Sequence, residues 1–383
     1  MPERCFPTTA RERPYFANSP FFLYYVGMPK HRFLLLALGM GAMLVGIWSG
    51  LLKMGWSLPN VQAAWPLLHG PLMVGGFLGT LISLERAVAL KQRWAYGVPA
   101  LTGIGAIAFL MMPLSSAGIL FITLGSLGMV IIFGNILQRQ RELFNIIMAL
   151  GAVLWWIGNT LWLFGWPLHQ IVYWWMAFLT LTIAGERLEL SRLLRLSPWA
   201  KSSFILSVLF ICLGLIGTAM LPDLGVRVFG VGMLGLALWL WRYDLATRTV
   251  KKQGLTRFVA VCMLSGYVWL GVGGVLGLVN GYVVAGPYYD ALLHALFLGF
   301  VFSMIFGHAP IIFPGVLGIA VPFRTRFYAH WALLHVTVLV RVLADLSGGG
   351  PAWRWGGLLN GVAILMFLAN TVSSSWPAQK GNT

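Results

Sequence analysis

Charge is what this sequence has least of. Only 9% of its 383 residues are Asp, Glu, Lys or Arg, and only 10 of them are acidic. Soluble domains carry roughly 25% charged residues, so a surface this poor in charge cannot face water over a chain of this length. Cysteine is scarce as well. Cys5, Cys212 and Cys262 have neither metal-ligand nor disulfide-framework spacing, and the last two fall in apolar runs, as core residues do. The short alternating segments of a transmembrane β-barrel are missing. No polar stretch is long enough for a separate soluble domain. The first thirty residues hold Arg4, Arg11, Arg13 and Lys30 around a short apolar patch at 21–26, which does not read as a cleavable signal peptide.

What the sequence does have is long apolar runs, with 59% hydrophobic residues. A helix needs about 20 apolar residues to cross a bilayer. The runs predict twelve spans near 33–53, 66–90, 97–114, 116–138, 143–165, 168–194, 202–221, 225–245, 257–279, 287–313, 326–347 and 355–375. The expected fold is all-α and polytopic. A cytoplasmic segment covers 1–32, a twelve-helix transmembrane domain 33–375, and a cytoplasmic tail 376–383.

The net charge is +16, and its placement matters more than its size. Arg86, Lys91 and Arg93 follow span 2; Arg139 and Arg141 follow span 4; Arg187, Arg192, Arg195 and Lys201 surround the loop after span 6. Arg242, Arg248, Lys251, Lys252 and Arg257 follow span 8, and Arg324 and Arg326 follow span 10. The intervening loops carry almost none. This positive-inside pattern puts both termini in the cytoplasm and suits a bacterial inner (plasma) membrane. It accounts for the basic balance without a nucleic-acid partner. The expected partners are the lipid bilayer, a redox partner, or the subunits of a membrane complex.

Three spans, four apart in order, resemble one another: HGPLMVGGFLGTLISLERAVAL from His69, HQIVYWWMAFLTLTIAGERLELSRLL from His169 and HALFLGFVFSMIFGHAPII from His294. Aligning Phe77, Phe178 and Phe300 brings Glu85, Glu186 and His308 into register. Three four-helix units would form a ring with pseudo-threefold symmetry; apolar sequence is also degenerate enough to match by chance.

Ionisable groups inside spans usually face a bundle interior or a cavity. His69 and His294 lie at one depth, near the outer ends of two spans that run the same way. They could hold the iron of a haem b from both sides, with Gly70, Gly75, Gly76, Gly79 and Gly299 admitting a flat macrocycle. Alternatively the histidines make packing hydrogen bonds and the glycines pack helices. Asp290, four residues before His294, could fix its tautomer or simply favour a helix start. His308 lies about 21 Å further along the face of His294. With His330 or His335 it could form a copper or second haem site, or all three could snorkel to the interface. His330 and His335 point about 140° apart, so only one of them can join His308. His31 reads as solvated, and His169 as a degenerate counterpart of His69.

Glu85–Arg86 and Glu186–Arg187, continued by Glu189 and Arg192, read as ion pairs at span ends or as proton-uptake groups. Arg341, deeper in span 11, could bind an anionic group such as a haem propionate or pair with Asp345.

Twelve spans, weak threefold repeats and outer histidines on spans 2 and 10 together resemble the subunit I fold of haem–copper oxidases. In that family one histidine on each of these helices ligates the low-spin haem, which maps onto His69 and His294. The stretch HALFLGFVFSMIFGHAPII is also similar to the corresponding helix of NnrS-like membrane proteins, relatives with haem and copper linked to nitric oxide stress. Span 6 has no His followed four residues later by Tyr, span 7 has no His pair, and positions 292 and 296 are Leu. An oxidase-type binuclear centre is therefore not expected. The resemblance implies a haem-binding protein for electron transfer, haem-linked sensing or nitric oxide defence. A transporter or channel with broken helices, and a structural subunit using aromatic faces at Trp155, Trp156, Trp174 and Trp175, are the rival expectations.

Overall fold

The computed structural model describes residues 30–113 and 115–375; the N-terminal segment, with Arg4, Cys5, Arg11 and Arg13, and the tail from 376 lie outside the described residues. Among the described residues there is no strand. Eleven helices are long and apolar enough to cross a membrane: α1 (Lys30–Lys53), α2 (Trp65–Leu90), α3 (Arg93–Met111), α4 (Ala117–Arg139), α5 (Leu143–Leu163), α7 (Pro198–Met220), α8 (Pro222–Tyr243), α9 (Gly254–Asn280), α10 (Pro287–Leu317), α11 (Phe327–Leu346) and α12 (Pro351–Ser375). The twelfth long helix, α6 (Leu168–Ser191), is less apolar because His169, Gln170, Glu186, Arg187 and Glu189 lie on it. It tolerates them because 18 of its 24 residues are buried against other helices, so protein rather than lipid surrounds it. The chain is an integral membrane protein.

Helix ends follow cap chemistry more closely than hydropathy. α7 starts four residues before the expected 202, at Pro198, because the Ser197 side chain accepts the Ala200 N–H and Pro198 takes the first helical position. α10 runs past Pro310 and Pro314 to Leu317 and ends where Gly318 turns left-handed, φ 71°.

Successive helices are joined by short turns and pack side by side, and α1 packs against α10 and α12, which closes the bundle. The turns alternate between a basic face, holding Arg93, Arg139, Arg195, Lys251 and Arg324, and a face with few charges. Close approach is most pronounced at the α7–α8 hairpin. A Cβ on Gly214 would strike the backbone of Phe229, and one on Gly225 the backbone of Thr218. Backbones this close maximise dispersion where lipid supplies no hydrophobic drive. Gly214→Ala and Gly225→Ala are each expected to cost about 1–3 kcal/mol, as overpacking does. Thermal unfolding in detergent checks this, with Gly134→Ala, which meets nothing within 4 Å, as the unaffected control.

The three helices that resemble one another stand together at the centre. In α2 and α10, 67% of the apolar stretch is buried, against 39–56% in the other nine apolar helices. Phe77 of α2 stacks on Phe302 of α10 at 5.9 Å. Arg86 of α2 bonds Glu186 of α6, and Arg187 of α6 bonds His308 of α10. The aligned positions Glu85, Glu186 and His308 thus converge through two arginines. α2 and α10 also share π-helical stretches, Leu72–Leu78 and Ala295–Phe302, which begin within three residues of His69 and His294. Such wide turns gather at functional sites.

Of the four tryptophans expected as contact faces on α5 and α6, Trp155, Trp174 and Trp175 are buried and Trp156 is half-buried; Trp155 stacks on Phe178 at 4.6 Å, and Trp175 donates to Asn159 Oδ1 at 2.9 Å.

Candidate functional site

His69 and His294 do meet. Their ring centroids are 6.4 Å apart, and the ring planes are inclined by 22°. The His69 Nδ1 lies 2.8 Å from the Gly46 carbonyl of α1. The His294 Nδ1 lies 2.8 Å from the Asp290 carbonyl and 3.2 Å from Asp290 Oδ1. A backbone carbonyl can only accept, so both rings carry a proton on Nδ1, which leaves Nε2 as the nitrogen able to ligate in the neutral form. Among the described residues, no hydrogen bond reaches either Nε2. Phe77 and Phe302, each eight residues or roughly 12 Å deeper, close the seam below the two rings.

Space for the His69 ring comes from α1. A Cβ on Gly50 would stand 2.7 Å from the His69 Nδ1, and one on Gly46 would press on Met73. Of the five glycines expected to admit a macrocycle, Gly70 meets only Trp175, at 3.9 Å, and the other four are tightly packed. Gly75 faces Ile122, Gly76 faces Ala42 and Ala106, Gly79 faces Trp155 and Gly299 faces Trp269. They pack helices.

Asp290 organises this end of the molecule. Arg341 donates to it as a fork, Nε to Oδ2 at 2.8 Å and Nη2 to Oδ1 at 3.0 Å, and Trp353 Nε1 donates to Oδ2 at 3.0 Å. The expected alternative, pairing of Arg341 with Asp345, gives way to Asp290; Asp345 is buried, and its Oδ2 has no partner. The bidentate geometry explains the preference, since two parallel charge-assisted bonds outweigh one. Gly356 of α12 lets the Arg341 backbone and Cβ come close, and Gly357 faces Met54 and the Arg341 Nη1.

The remaining histidines sit in separate settings. His308 donates from Nδ1 to the Met304 carbonyl at 2.9 Å, and its Nε2 accepts from Arg187 at 3.4 Å. His330 is enclosed by Phe258, Phe306, Phe327 and Phe367, and its Nδ1 accepts from Asn370 at 3.0 Å. His335 accepts from Trp269 at Nδ1, 2.8 Å, and reaches Ser265 and Ser303 from Nε2 at 3.0 and 3.2 Å. Tryptophan only donates, which fixes His335 as the neutral Nε2–H tautomer with both nitrogens engaged. His330 and His335 point to different neighbours, as their spacing implied. Among the described residues, no three His, Cys, Asp or Glu side chains gather as a metal-binding group. His169 lies beside Tyr282, ring centroids 6.0 Å apart and planes inclined by 58°, outside the histidine pair.

At the basic face Arg86 bridges Glu85, 3.2 Å, and Glu186. Arg187 turns from its sequence neighbour to a buried partner, Asp244, with Nε–Oδ2 2.8 Å and Nη2–Oδ1 3.0 Å. Glu189 and Arg192 pair loosely at 3.6 Å on the surface.

Residues 32–376 match the family described as a domain of unknown function, DUF8744. The chain belongs to the DUF8744 family. No curated protein matches it. The match spans every helix of the bundle, so the histidine pair and the Arg187–Asp244 pair both lie inside the DUF8744 domain. Gly50, Asp244, Trp353 and the serines around His335 are the parts of this domain that sequence reasoning passed over. For Asp244 a signal existed: it is the one carboxylate in a loop otherwise rich in arginine and lysine.

Proposed function

We propose that this DUF8744 protein holds one b-type haem between His69 and His294 and serves in one-electron transfer or haem-linked sensing, in the manner of the NnrS-like proteins it resembles. The observation that carries this is the pair of neighbouring imidazoles, each with an Nδ1 proton committed to a carbonyl and an Nε2 that no described group bonds. A metal held by two imidazole nitrogens at roughly 2.0–2.1 Å each places ring centroids roughly 6 Å apart. The donor set found here fits that spacing. A haem held by His69 and His294 would supply a reversible one-electron couple, which favours electron transfer and sensing over gas reduction. The chain's part is to hold the two rings, fix their tautomers and bury the site in the half of the bilayer away from the basic face. By the positive-inside rule that face is cytoplasmic, which suits a bacterial inner membrane. α2 and α10 stay wound throughout, which does not favour the broken-helix transporter alternative.

The test is an absorption spectrum of protein purified from haem-replete cells. A Soret band at about one haem per chain is expected; protein that stays colourless under those conditions refutes the reading. A second expectation concerns Asp290. A carboxylate on the far side of a ligating histidine raises its basicity and so favours the oxidised metal. Asp290→Asn is expected to raise the midpoint potential in a redox titration, with the Soret band kept.

A further inference from the structure

A cavity of about 270 Å³ opens at the basic ends of α5, α6 and α7. Three cations converge on it from two segments: Arg192 and Arg195 after α6, and Lys201 in the first turn of α7. One carboxylate, Glu142, shares the rim, and Glu189 lies 3.6 Å from Arg192, which leaves Arg195 and Lys201, among the described residues, as the two cations without a carboxylate partner against Glu142. Leu188, Phe144 and Leu196 line the rest and are apolar. The Arg192 guanidinium lies over the Phe144 ring at 5.2 Å, which holds it at the cavity edge. The first turn of α5 adds donors. Its first backbone bond is Ile146 N to Glu142 O, and no side chain caps the helix, so the N–H groups of Leu143 and Phe144 remain without helical partners.

Cationic forks, a lysine and an apolar floor at one membrane face form a receptor for a phosphate joined to hydrocarbon. Arginine matches phosphate oxygens bidentately, and basic pockets between transmembrane helices on this face take acidic headgroups. Positive loops alone would attract such lipids diffusely; here the cations surround a concavity with a greasy base. We propose that this cavity binds the phosphate of an anionic phospholipid from the adjoining leaflet, with the acyl region against Leu188, Phe144 and Leu196. The site is independent of the histidine pair, so its failure leaves the haem reading untouched.

Native mass spectrometry of the full chain in neutral detergent, titrated with phosphatidylglycerol or phosphatidylcholine, tests it. One phosphatidylglycerol is expected to stay bound where phosphatidylcholine does not. An Arg195→Gln, Lys201→Gln double variant is expected to weaken binding about tenfold or more, given roughly 1 kcal/mol per cation near a membrane surface. A Lys251→Gln, Lys252→Gln variant removes the same charge from another turn of this face and is expected to bind as the parent does. Equal binding of the two lipids, or equal weakening by the two double variants, overturns the proposal. Inorganic phosphate is run as a competitor: if millimolar phosphate displaces the lipid, the headgroup phosphate suffices and a soluble phosphate is the ligand. If it does not, the lipid is.

Discussion

Purified His69→Ala and His294→Ala proteins are each expected to lose the Soret band, and the double variant is expected to be no emptier than either one. The expectation rests on the scarcity of substitute donors. His308 has its Nε2 lone pair taken by Arg187, His335 has both nitrogens bonded, and His330 is boxed in by phenylalanines. His308 and His335 cannot replace a missing axial ligand without breaking bonds of their own, and His330, whose Nε2 has no partner among the described residues, is held in place by its phenylalanine neighbours. His335→Ala is therefore expected to keep the band, even though it strands Trp269 and lowers stability. A truncation at His69 also removes the tie to the Gly46 carbonyl, so a substitution that leaves all seven histidines in place is needed beside it. Gly50→Val does this. Its branched side chain would occupy the volume of the His69 ring, pushing the imidazole aside while α1 remains apolar. Loss of absorption in Gly50→Val, with an unfolding temperature close to the parent, separates ligand displacement from general damage. Retention of the full band in His69→Ala, His294→Ala and Gly50→Val would remove the histidine pair from any role in cofactor binding.

The twelve helices were legible because lipid leaves a chain little choice: backbone polar groups must bond within a helix, and side chains facing acyl tails must be apolar. Even α6 was readable, although its polar residues lower its hydropathy, since its neighbours in the chain fixed its place. The meeting of His69 and His294 was legible for a related reason. Two residues one turn inside spans of the same direction must share a depth, and the repeat put both on central helices. What the sequence could not give was partner choice across the bundle. Arg341 has Asp345 four residues away on its own helix, yet it takes Asp290, 51 residues distant, with both fork nitrogens. Gly75, Gly76 and Gly79 announced a close approach without saying of what. The π-helical turns beside both histidines have no sequence signature at all; they arise where packing inserts a residue into the ladder.

Asp244→Ala is expected to be the most damaging single change outside the histidine pair. Asp244 is fully buried, and its partner Arg187 has a side chain only 5% exposed. Each Asp244 oxygen takes one arm of the guanidinium, and Oδ1 also accepts the Ala246 N–H at 2.7 Å. Deleting the carboxylate leaves a buried guanidinium whose best remaining neighbour is His308 Nε2 at 3.4 Å. Removing one member of a buried pair costs about 3–5 kcal/mol, because the other charge stays desolvated. That is a large share of the roughly 5–15 kcal/mol that holds a domain together. The expected result is a steep fall in unfolding temperature and in the yield of monodisperse protein. The pair itself is a different matter. An Arg187→Met, Asp244→Leu double variant removes both charges at once and is expected to recover most of the loss, leaving mainly the unbonded Ala246 N–H. The exposed Asp223–Arg227 pair on the opposite face has the same 2.8 Å contact, and Asp223→Ala is expected to change stability little, since solvent screens both partners. The contrast isolates burial as the cause. If Asp244→Ala unfolds at the same temperature as Asp223→Ala, then water reaches the Arg187 guanidinium, and the basic end of the central helices is hydrated rather than sealed.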